Sequence, residues 1–410
     1  ASASAAAISL VLGDVDLLGE IFLRLGFPTD LVRAAAVCRR WLRAASDPVF
    51  LRRFRDLHPP TLLGFYLGVY SELRKRFRAD FVPMLPQRPE LAAVLRRGRF
   101  SLDTYESQST CVMDCRNGIV VANLFRGGDF TYGVHSPLHP ATGLVAFPQL
   151  PIMKGELNIF REILSQGSGD GLSYFWFLLD YCDKLEKATA YVYKLQDGVW
   201  SMQTSATTQI SRLNSSVLNA LTIFLVEDKI YMAITTHNIL VLDLRSSTFF
   251  TIKFPDRMLF DGQIMLARAN GYGVYLVHVK DLQVCIWLHR GCNGNSMGDW
   301  SLVDTINLHD LCANLTISNS TTEDGYDPDV YIHDVGDNAE FVFLEMYGCV
   351  LYLDVRSRGL RKVHDVTENN TRVSWIHPFM MTWPPIFRCR NDPVRIYYMV
   401  MWKMKDNLTI

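Results

Sequence analysis

Strand-forming segments recur along the chain beyond residue 60, and this repeat restricts the possible folds more than any other feature of the sequence. Short apolar runs rich in Val, Ile, Tyr, Phe and Trp alternate with clusters of turn residues. Clear pairs of runs begin at Tyr191, Ile239 and Cys349, and looser pairs begin at Tyr132 and Val284. The turns follow one another at intervals of roughly 50 to 60 residues, which is near the length of a four-stranded propeller blade.

A repeat of this kind requires its copies to pack against one another. A strand pair cannot bury its apolar face alone, whereas blades stacked around an axis bury their faces and leave only short edges. Five blades can be identified, and we expect a sixth to combine Leu62–Tyr70 with Phe81–Pro83 or with the C-terminal strands, which would close the ring. The sequence therefore favours a six-bladed β-propeller, with a β-sandwich or an open array of sheets as the alternatives.

The first 60 residues follow a helical period instead. Asp14 or Asp16 can cap a first helix, and Gly26 can end it. The apolar stripe of this helix consists of Leu17, Leu18, Ile21 and Leu25. Thr29 or Asp30 can begin a second helical pattern. The apolar residues of that pattern are Leu31, Val32, Ala35, Val37, Cys38, Trp41 and Leu42.

A further helix is predicted to start at Asp47 and Pro48, because a capping residue followed by proline is a favoured beginning. Three or four short helices in about 45 residues seldom bury enough apolar surface to be stable alone. Cys38 is the only cysteine of this segment, so no disulfide or closed zinc site can form within it. One face of the helices is therefore expected to meet another molecule or the rest of the chain. The alternative is an ordinary helical cap on the following domain.

Several short motifs of this segment occur in one characteristic order. They are Asp16-Leu17-Leu18, Glu20-Ile21, Arg24-Leu25, Pro28, Leu31, Val37-Cys38-Arg39, Trp41, Ser46-Asp47-Pro48 and Phe50. This order resembles the F-box, and the details are most similar to F-box proteins of land plants, especially grasses. The family usually opens with Leu-Pro, where this chain has Leu12-Gly13. The stretches that begin at Leu57 and Pro378 resemble the propeller-type domain that follows the F-box in grass proteins.

The resemblance implies a multi-domain protein, with a small all-α F-box over residues 8–58 and an all-β propeller over residues 59–410. The F-box would dock on a Skp-type adaptor in a cullin-based ubiquitin ligase of the SCF type, and the propeller would hold an unidentified target protein. The residues expected to supply the adaptor interface and the shared core are Leu12, Leu17, Leu18, Ile21, Leu25, Pro28, Leu31, Val37, Cys38, Trp41, Pro48 and Phe50. No catalytic residue, cofactor or metal ligand is implied, so a non-catalytic subunit is expected.

The remaining motifs give little evidence of catalysis. Cys285, His289 and Cys292 have metal-ligand chemistry, but three local ligands at this spacing do not match a standard zinc site. The glycine-rich run from Gly167 to Gly171 lacks the Lys-Ser/Thr pair of a phosphate-binding loop. We interpret that run as an inter-blade loop that follows a short helix-like stretch.

Two alternative functions stay open at this point. One is an F-box scaffold that binds the adaptor and recruits nothing for ubiquitination. The other is a propeller enzyme, or a small-molecule or sugar-binding protein, whose N-terminal helices form only a cap. The second alternative would require convergent carboxylates or an arginine cluster at the centre of the propeller, and we see no sequence sign of either.

Composition bears on the environment and partners of the protein. The chain is 49% hydrophobic with a formal net charge of −1, which argues against general nucleic-acid or membrane-surface binding. The sequence contains no apolar run of about 18 residues, so no membrane-spanning helix is predicted. Nine irregularly spaced cysteines fit a reducing compartment, so cytoplasm or nucleus is expected. The basic runs Arg74–Arg78 and Arg96–Arg99 are interpreted as solvated loops, with docking patches as the alternative.

Overall fold

The fold was analysed in a computed structural model of the 410-residue chain. The structure describes residues 14–25, 28–58, 61–86, 89–138, 143–151, 158–168, 171–182, 185–210, 222–235, 237–255, 258, 263–269, 273–291, 299–312, 315, 329–366 and 371–381. These residues form two compact units. One contains the residues up to Leu63 together with Met380 and Met381, and the other extends from Gly64 to Phe379.

Four short helices make up most of the first unit. They are α1 (Val15–Leu23), α2 (Pro28–Val37), α3 (Arg39–Ala45) and α4 (Pro48–Leu57). Their buried side chains share one core, whose largest members are Leu18, Phe22, Leu31, Phe50 and Phe54. The Phe22 ring packs edge-to-face against Trp41 and Phe50, at centroid distances of 5.4 and 6.1 Å. Two helix starts follow the sequence signals, since Asp14 caps α1 and Asp47 caps α4 with Pro48 at its first position.

Two details of the helical prediction are wrong. Helix α2 begins at Pro28, ahead of the expected Thr29 or Asp30, because the ring of a proline already holds the φ angle of a first helical residue. The apolar pattern from Leu31 to Leu42 is not one helix, because Cys38 is extended (φ −158°, ψ 166°) and separates α2 from α3. The predicted stop at Gly26 lies outside the described residues.

The second unit is a six-bladed β-propeller, as the repeat predicts. Its first two strands are β1 (Leu62–Ser71) and β2 (Arg76–Pro83), followed by helix α5 (Pro89–Arg97). Blade 2 contains β3 (Ser109–Arg116), β4 (Ile119–Arg126), β5 (Asp129–His135) and β6 (Leu144–Ala146). Blade 3 contains β7 (Asn158–Ser168), β8 (Gly171–Cys182), β9 (Lys187–Gln196) and β10 (Val199–Gln209). Blade 4 contains β11 (Thr222–Val226), β12 (Lys229–Ala233), β13 (Asn238–Asp243) and β14 (Thr248–Lys253).

The last strands repeat the same antiparallel order and then close the ring. Blade 5 contains β15 (Ile264–Arg268), β16 (Gly273–Lys280), β17 (Gln283–Arg290) and β18 (Trp300–Asn307), followed by helix α6 (Leu308–Cys312). Blade 6 contains β19 (Tyr331–Val335), β20 (Phe341–Met346), β21 (Cys349–Asp354) and β22 (Gly359–Asp365). The final strand, β23 (Thr371–Met380), pairs with β1, so blade 1 has the order β2-β1-β23. Both expected sources of the sixth blade are therefore used.

Contacts between blades join the sheets into a ring. The hydrogen bonds between successive blades include Phe77 N to Ser109 Oγ (3.0 Å), Trp200 Nε1 to Pro148 O (3.1 Å), Gln166 Nε2 to Glu227 O (2.5 Å), Trp300 Nε1 to Lys253 O (2.7 Å) and Arg358 Nη2 to Asp304 Oδ1 (2.7 Å). Blade 6 meets blade 1 through the rings of Phe343 and Phe65, whose centroids lie 4.8 Å apart.

A glycine permits the closing strand to approach its partner. Trp375 of β23 lies so close to Gly68 of β1 that a Cβ atom at position 68 would overlap the indole ring. Only glycine leaves room for that ring here. The closure of blade 1 therefore depends on the absence of one side chain.

One part of the repeat was predicted wrongly. Gly167 to Gly171 does not follow a helix or join two blades, because Asn158–Ser168 and Gly171–Cys182 are the first two strands of blade 3. This error comes from the similarity of all glycine-containing hairpin turns, whatever their place in a blade. Among the described helices, none combines the length and apolarity needed to cross a membrane.

Candidate functional site

Helix α1 is amphipathic, with both faces set by its cap. Asp14 accepts hydrogen bonds from the backbone N–H groups of Asp16 (2.8 Å) and Leu17 (3.1 Å), which fixes where the helix starts. Leu18 and Phe22 are then buried in the module core, whereas Leu17 and Ile21, four residues apart, are exposed. Nearly half of the Leu17 side chain (47%) remains open to solvent. Leu17 and Ile21 therefore form an exposed apolar face of α1.

The junction between α2 and α3 adds a second exposed apolar position. The extended backbone of Cys38 ends α2 at Val37. Both residues are exposed, and 64% of the Val37 side chain is open to solvent. Val37 lies two residues beyond the buried Ala35, on the opposite side of α2, so its helical position exposes it.

Helix α4 contributes a third group of exposed apolar residues and is joined to α1 by an ion pair. Asp47 accepts from the N–H groups of Val49 and Phe50, both at 2.9 Å, and this cap leaves Val49 exposed while Phe50 is buried. Arg53 Nη2 of α4 lies 2.7 Å from Glu20 Oε1 of α1. We call the exposed large apolar residues of the module its exposed apolar set: Val15, Leu17, Ile21, Val37, Val49 and Leu57.

The structure divides the twelve residues predicted for the adaptor interface and shared core. The exposed members are Leu17, Ile21, Val37, Cys38 and Pro48. The half-buried members are Leu25 and Trp41, and the members buried in the module core are Leu18, Leu31 and Phe50. Leu12 and the side chain of Pro28 lie outside the described residues. Val15, Val49 and Leu57 were not predicted, although their helical spacing could have shown that they lie away from the core.

A second candidate site lies on the innermost strands of the propeller. Asp114 on β3, Glu162 on β7 and Asp334 on β19 come from blades 2, 3 and 6, and we call them the axial carboxyl cluster. Asp114 and Asp334 each follow an extra residue in the strand register, Met113 and His333. Such a bulge redirects the side chains that follow it.

The carboxylates of the cluster differ in the number of hydrogen bonds that they accept. Asp114 accepts from the backbone N–H of Cys115 (2.8 Å) and from both the N–H (3.1 Å) and the hydroxyl of Ser165 on blade 3. Asp334 accepts from the N–H of Val335 at 2.6 Å. Asp114 is therefore the best supported carboxylate of the three, and it links two blades directly.

Burial and mutual repulsion change the titration of this cluster. Burial, followed by the nearby charge of Asp114, raises the pKa of Glu162 to about 8. Burial, together with the charges of Asp337 and Asp114, also raises the pKa of Asp334 to about 8. Burial lowers the pKa of His377, whose Nε2 lies 3.1 Å from the carbonyl oxygen of Val112. A carboxyl group with such a pKa retains its proton near neutral pH and can donate it.

Sequence reasoning missed this cluster, and the sequence contains only a weak signal for it. Each carboxylate is an isolated acidic residue within or beside an apolar strand, and the strands are far apart in the chain. Among the described residues, no group of three His, Cys, Asp or Glu side chains is arranged to hold a metal ion. Cys285 and His289 lie on β17, and Cys292 lies outside the described residues.

Comparison with known proteins agrees with both halves of this architecture. An F-box-like family model matches residues 15–58, and a model described as "F-box protein AT5G49610-like, beta-propeller" matches residues 111–387. Among curated proteins, none matches the sequence.

Solved structures with related geometry are distant. An α-L-arabinanase of Penicillium chrysogenum complexed with arabinobiose is 9% identical, with a TM-score of 0.35 over 79% of this chain and 89% of that chain. A GH93 α-L-arabinofuranosidase of Fusarium graminearum is 8% identical, with a TM-score of 0.32 over 67% and 82%. These scores are too low to support any argument about function.

The propeller model alone covers more than half of the sequence, and the helical module carries the F-box-like match in front of it. The chain therefore belongs to the family of F-box proteins that carry an AT5G49610-like β-propeller.

Proposed function

We propose that this protein is a substrate-recognition subunit of an SCF-type cullin ubiquitin ligase. The F-box would dock on a Skp-type adaptor, and the propeller would hold a target protein near the conjugating enzyme. The observation that carries this proposal is the exposed apolar set on a module that is too small to hide it. The F-box-like match over residues 15–58 supports the same assignment.

The energetics of such docking follow from the surface itself. Covering apolar area contributes about 2.5 kcal/mol for every 100 Å² removed from water. Leu17 and Ile21 on α1 and Val49 on α4 offer that area without disturbing the core beneath them. An apolar partner helix laid against them would therefore stabilise the module as well as the complex.

The propeller would contribute through proximity, without chemistry of its own. Holding a target beside a reactive thioester raises its effective concentration, and this alone accelerates transfer. We place this activity in the cytoplasm or nucleus, because the described cysteines are all free thiols. No nucleic acid and no membrane is part of the proposal.

The test is co-purification of the full-length chain with a Skp-type adaptor. Leu17→Asp combined with Ile21→Asp places two charges on the proposed interface and should abolish co-purification. The matched control is Leu302→Asp combined with Val303→Asp, which changes two comparably exposed residues on β18 of the propeller. Loss of binding in the control, or retention in the α1 variant, would contradict the proposal. Circular dichroism of both variants verifies that the fold is retained.

A ligand-binding or catalytic propeller is the second candidate, and the axial carboxyl cluster favours it. Protonated and ionised carboxyl groups within reach of each other's charge are a common basis of acid–base catalysis. The test is hydrolysis of a panel of fluorogenic glycosides and esters by the wild-type chain. Turnover that disappears in both Glu162→Gln and Asp334→Asn would support an enzyme, whereas absence of turnover on every substrate leaves the adaptor function as the account of the protein.

A further inference from the structure

The turns of the propeller lie on two opposite faces, and one face carries exposed apolar and cationic residues. Neighbouring strands of a blade are antiparallel, so successive turns alternate between the two faces of the ring. The turn between the second and third strands therefore lies on the face where the innermost strand starts. We call this the second-turn face. In blade 1 its turn is Glu72–Lys75, between β1 and β2.

Exposed apolar residues mark the second-turn face on four consecutive blades. Leu73 of blade 1 and Leu185 of blade 3 are among the most exposed apolar side chains described, at 77% and 67%. Phe130 beside the turn of blade 2 and Tyr347 in the turn of blade 6 are also exposed. Large apolar side chains at turn tips are unusual on a surface that faces only water.

Cations surround the blade 1 part of this face. They are Arg74, Lys75, Arg76, Arg78 and Arg372. Lys75 Nζ (3.0 Å) and Arg372 Nε (3.8 Å) share the single carboxylate of Glu72, and Arg78 Nε lies 2.7 Å from Asp80 Oδ2. This leaves more positive than negative charge at the turn.

Two of these arginines are available for a partner. Arg74 and Arg76 are exposed. The ion pairs at this turn involve Lys75, Arg78 and Arg372, and no carboxylate of the described residues lies within ion-pair distance of Arg74 or Arg76. Arg372 is held in place, because its guanidinium lies 5.2 Å from the centroid of the Tyr70 ring. A guanidinium group pairs with carboxylate or phosphate oxygens through two parallel hydrogen bonds.

We propose that the second-turn face of blades 6, 1, 2 and 3 docks an acidic segment of a target protein. Carboxylate or phosphate groups of that segment would bind Arg74 and Arg76, and its apolar side chains would pack against Leu73 and Phe130. The inference rests on the proposed function and adds the chemistry of the target. It also reverses the interpretation of Arg74–Arg78 as a solvated loop.

A protein segment fits this surface better than a nucleic acid does. The cations are concentrated on blade 1, whereas nucleic-acid sites extend basic residues along a groove that follows the phosphate backbone. On blades 2 and 3 the exposed cations beside the second turns, Arg126 and Lys187, alternate with the carboxylates Asp129 and Glu186. The whole chain is also close to neutral, with a formal net charge of −1. The apolar tips suit side chains rather than phosphates.

The experiment measures binding of labelled peptides to the full-length chain co-purified with a Skp-type adaptor. Three fluorescein-labelled peptides share the same leucine and phenylalanine positions and carry glutamate, glutamine or phosphoserine at the remaining ones. The glutamate or the phosphoserine peptide should bind, the glutamine peptide should not, and binding should weaken as salt is raised. The better of the two anionic peptides tells whether carboxylate or phosphate is preferred.

Variants then locate the site. Arg74→Glu with Arg76→Glu should weaken binding by about tenfold or more, and Arg74→Gln with Arg76→Gln by less. The matched control is Arg290→Glu with Arg356→Glu, two exposed arginines on the opposite face of the propeller, which should leave binding within about twofold. Leu73→Asp should also weaken binding without changing the charge on either arginine.

Equal binding of the glutamine peptide, an unchanged affinity in the Arg74/Arg76 variants, or no peptide binding up to about 1 mM would overturn the proposal. Competition by a single-stranded RNA of similar length with equal affinity would reassign the surface to nucleic acid. Co-purification of the adaptor is read in the same samples, so failure of peptide binding with intact adaptor binding rejects this inference and leaves the proposed function standing.

Discussion

The indole Nε1 of Trp300, on the outer strand of blade 5, donates a 2.7 Å hydrogen bond to the backbone carbonyl of Lys253, at the end of blade 4. Trp200 repeats the arrangement between blades 3 and 2, where its Nε1 lies 3.1 Å from the carbonyl oxygen of Pro148. Both tryptophans belong to a Gly-x-Trp-Ser sequence, at positions 198–201 and 298–301. In each copy the indole joins its blade to the preceding one through a hydrogen bond.

Trp300→Phe tests this fastening. It keeps an aromatic ring but removes the donor, so it should lower the free energy of unfolding by about 1 kcal/mol in addition to the cost of the smaller ring. The matched control is Trp287→Phe, because the buried Nε1 of Trp287 has no hydrogen-bond acceptor among the described residues. Thermal denaturation compares the two. Equal loss of stability in both variants would show that the hydrogen bond contributes nothing.

The axial carboxyl cluster predicts how propeller stability depends on pH. In the folded protein Glu162 and Asp334 have pKa values of about 8, above the ordinary values of 4.5 and 3.8. Their contribution is therefore present in full at pH values below those ordinary values and is lost as the pH rises through 8. Burial lowers the pKa values of His135 and His377, which gives an opposite slope below pH 6.5.

Between pH 6.5 and 8 the carboxyl groups alone therefore determine how the free energy of unfolding depends on pH. Denaturant unfolding should show stability falling there by up to about 1.4 kcal/mol per pH unit for each of the two carboxyl groups. Glu162→Gln should reduce that slope and stabilise the protein at pH 9. Stability that rises over this interval in the wild-type chain would contradict the pKa assignments.

The close contact between Gly68 and Trp375 predicts that closure of the ring is sensitive to a side chain at position 68. Gly68→Ala should destabilise the propeller by about 1–3 kcal/mol or more, because the new methyl group would overlap Trp375 of the closing strand. Gly19→Ala is the control, since nothing lies within 4 Å of a Cβ atom at that position in α1. It should stabilise the helix by about 0.5–1 kcal/mol. Unfolding curves in denaturant measure both changes, and an unchanged midpoint for Gly68→Ala would show that β23 can shift to make room.

The division between buried and exposed apolar residues of the F-box predicts two distinct phenotypes. Phe54→Ala should cost about 3–5 kcal/mol and make the module susceptible to limited proteolysis, because Phe54 is fully buried in its core. Val49→Ala should leave stability within about 0.5 kcal/mol but weaken adaptor binding. Proteolysis rates and adaptor affinity, measured on the same preparations, separate the two. A Val49 variant that unfolds would place this side chain in the core instead.

Features with local signals could be predicted from the sequence. Asp14 and Asp47 cap the helices because a side-chain oxygen acts on N–H groups two or three residues away. The hairpins that start near Tyr191, Ile239 and Cys349 were also predicted, because their apolar runs and turns are contiguous. Such signals need no knowledge of the rest of the chain.

Features that depend on distant residues could not be predicted in this way. The axial carboxyl cluster joins Asp114, Glu162 and Asp334, which lie on three different blades. Two of them, Asp114 and Asp334, are redirected by bulges that the sequence pattern does not reveal. The apolar pattern from Leu31 to Leu42 also gave no sign of the break at Cys38 that separates α2 from α3. The position of a turn within its blade, the bulges and the contacts between innermost strands all depend on tertiary packing.

Hydrogen–deuterium exchange of the full-length chain, with and without a purified Skp-type adaptor, tests the central claim most directly. We expect slower exchange on adding adaptor in the peptides that cover Leu17 and Ile21 of α1 and Val49 of α4, with blades 2 to 5 unchanged. Unchanged exchange throughout the helical module, or protection confined to the propeller, would contradict it.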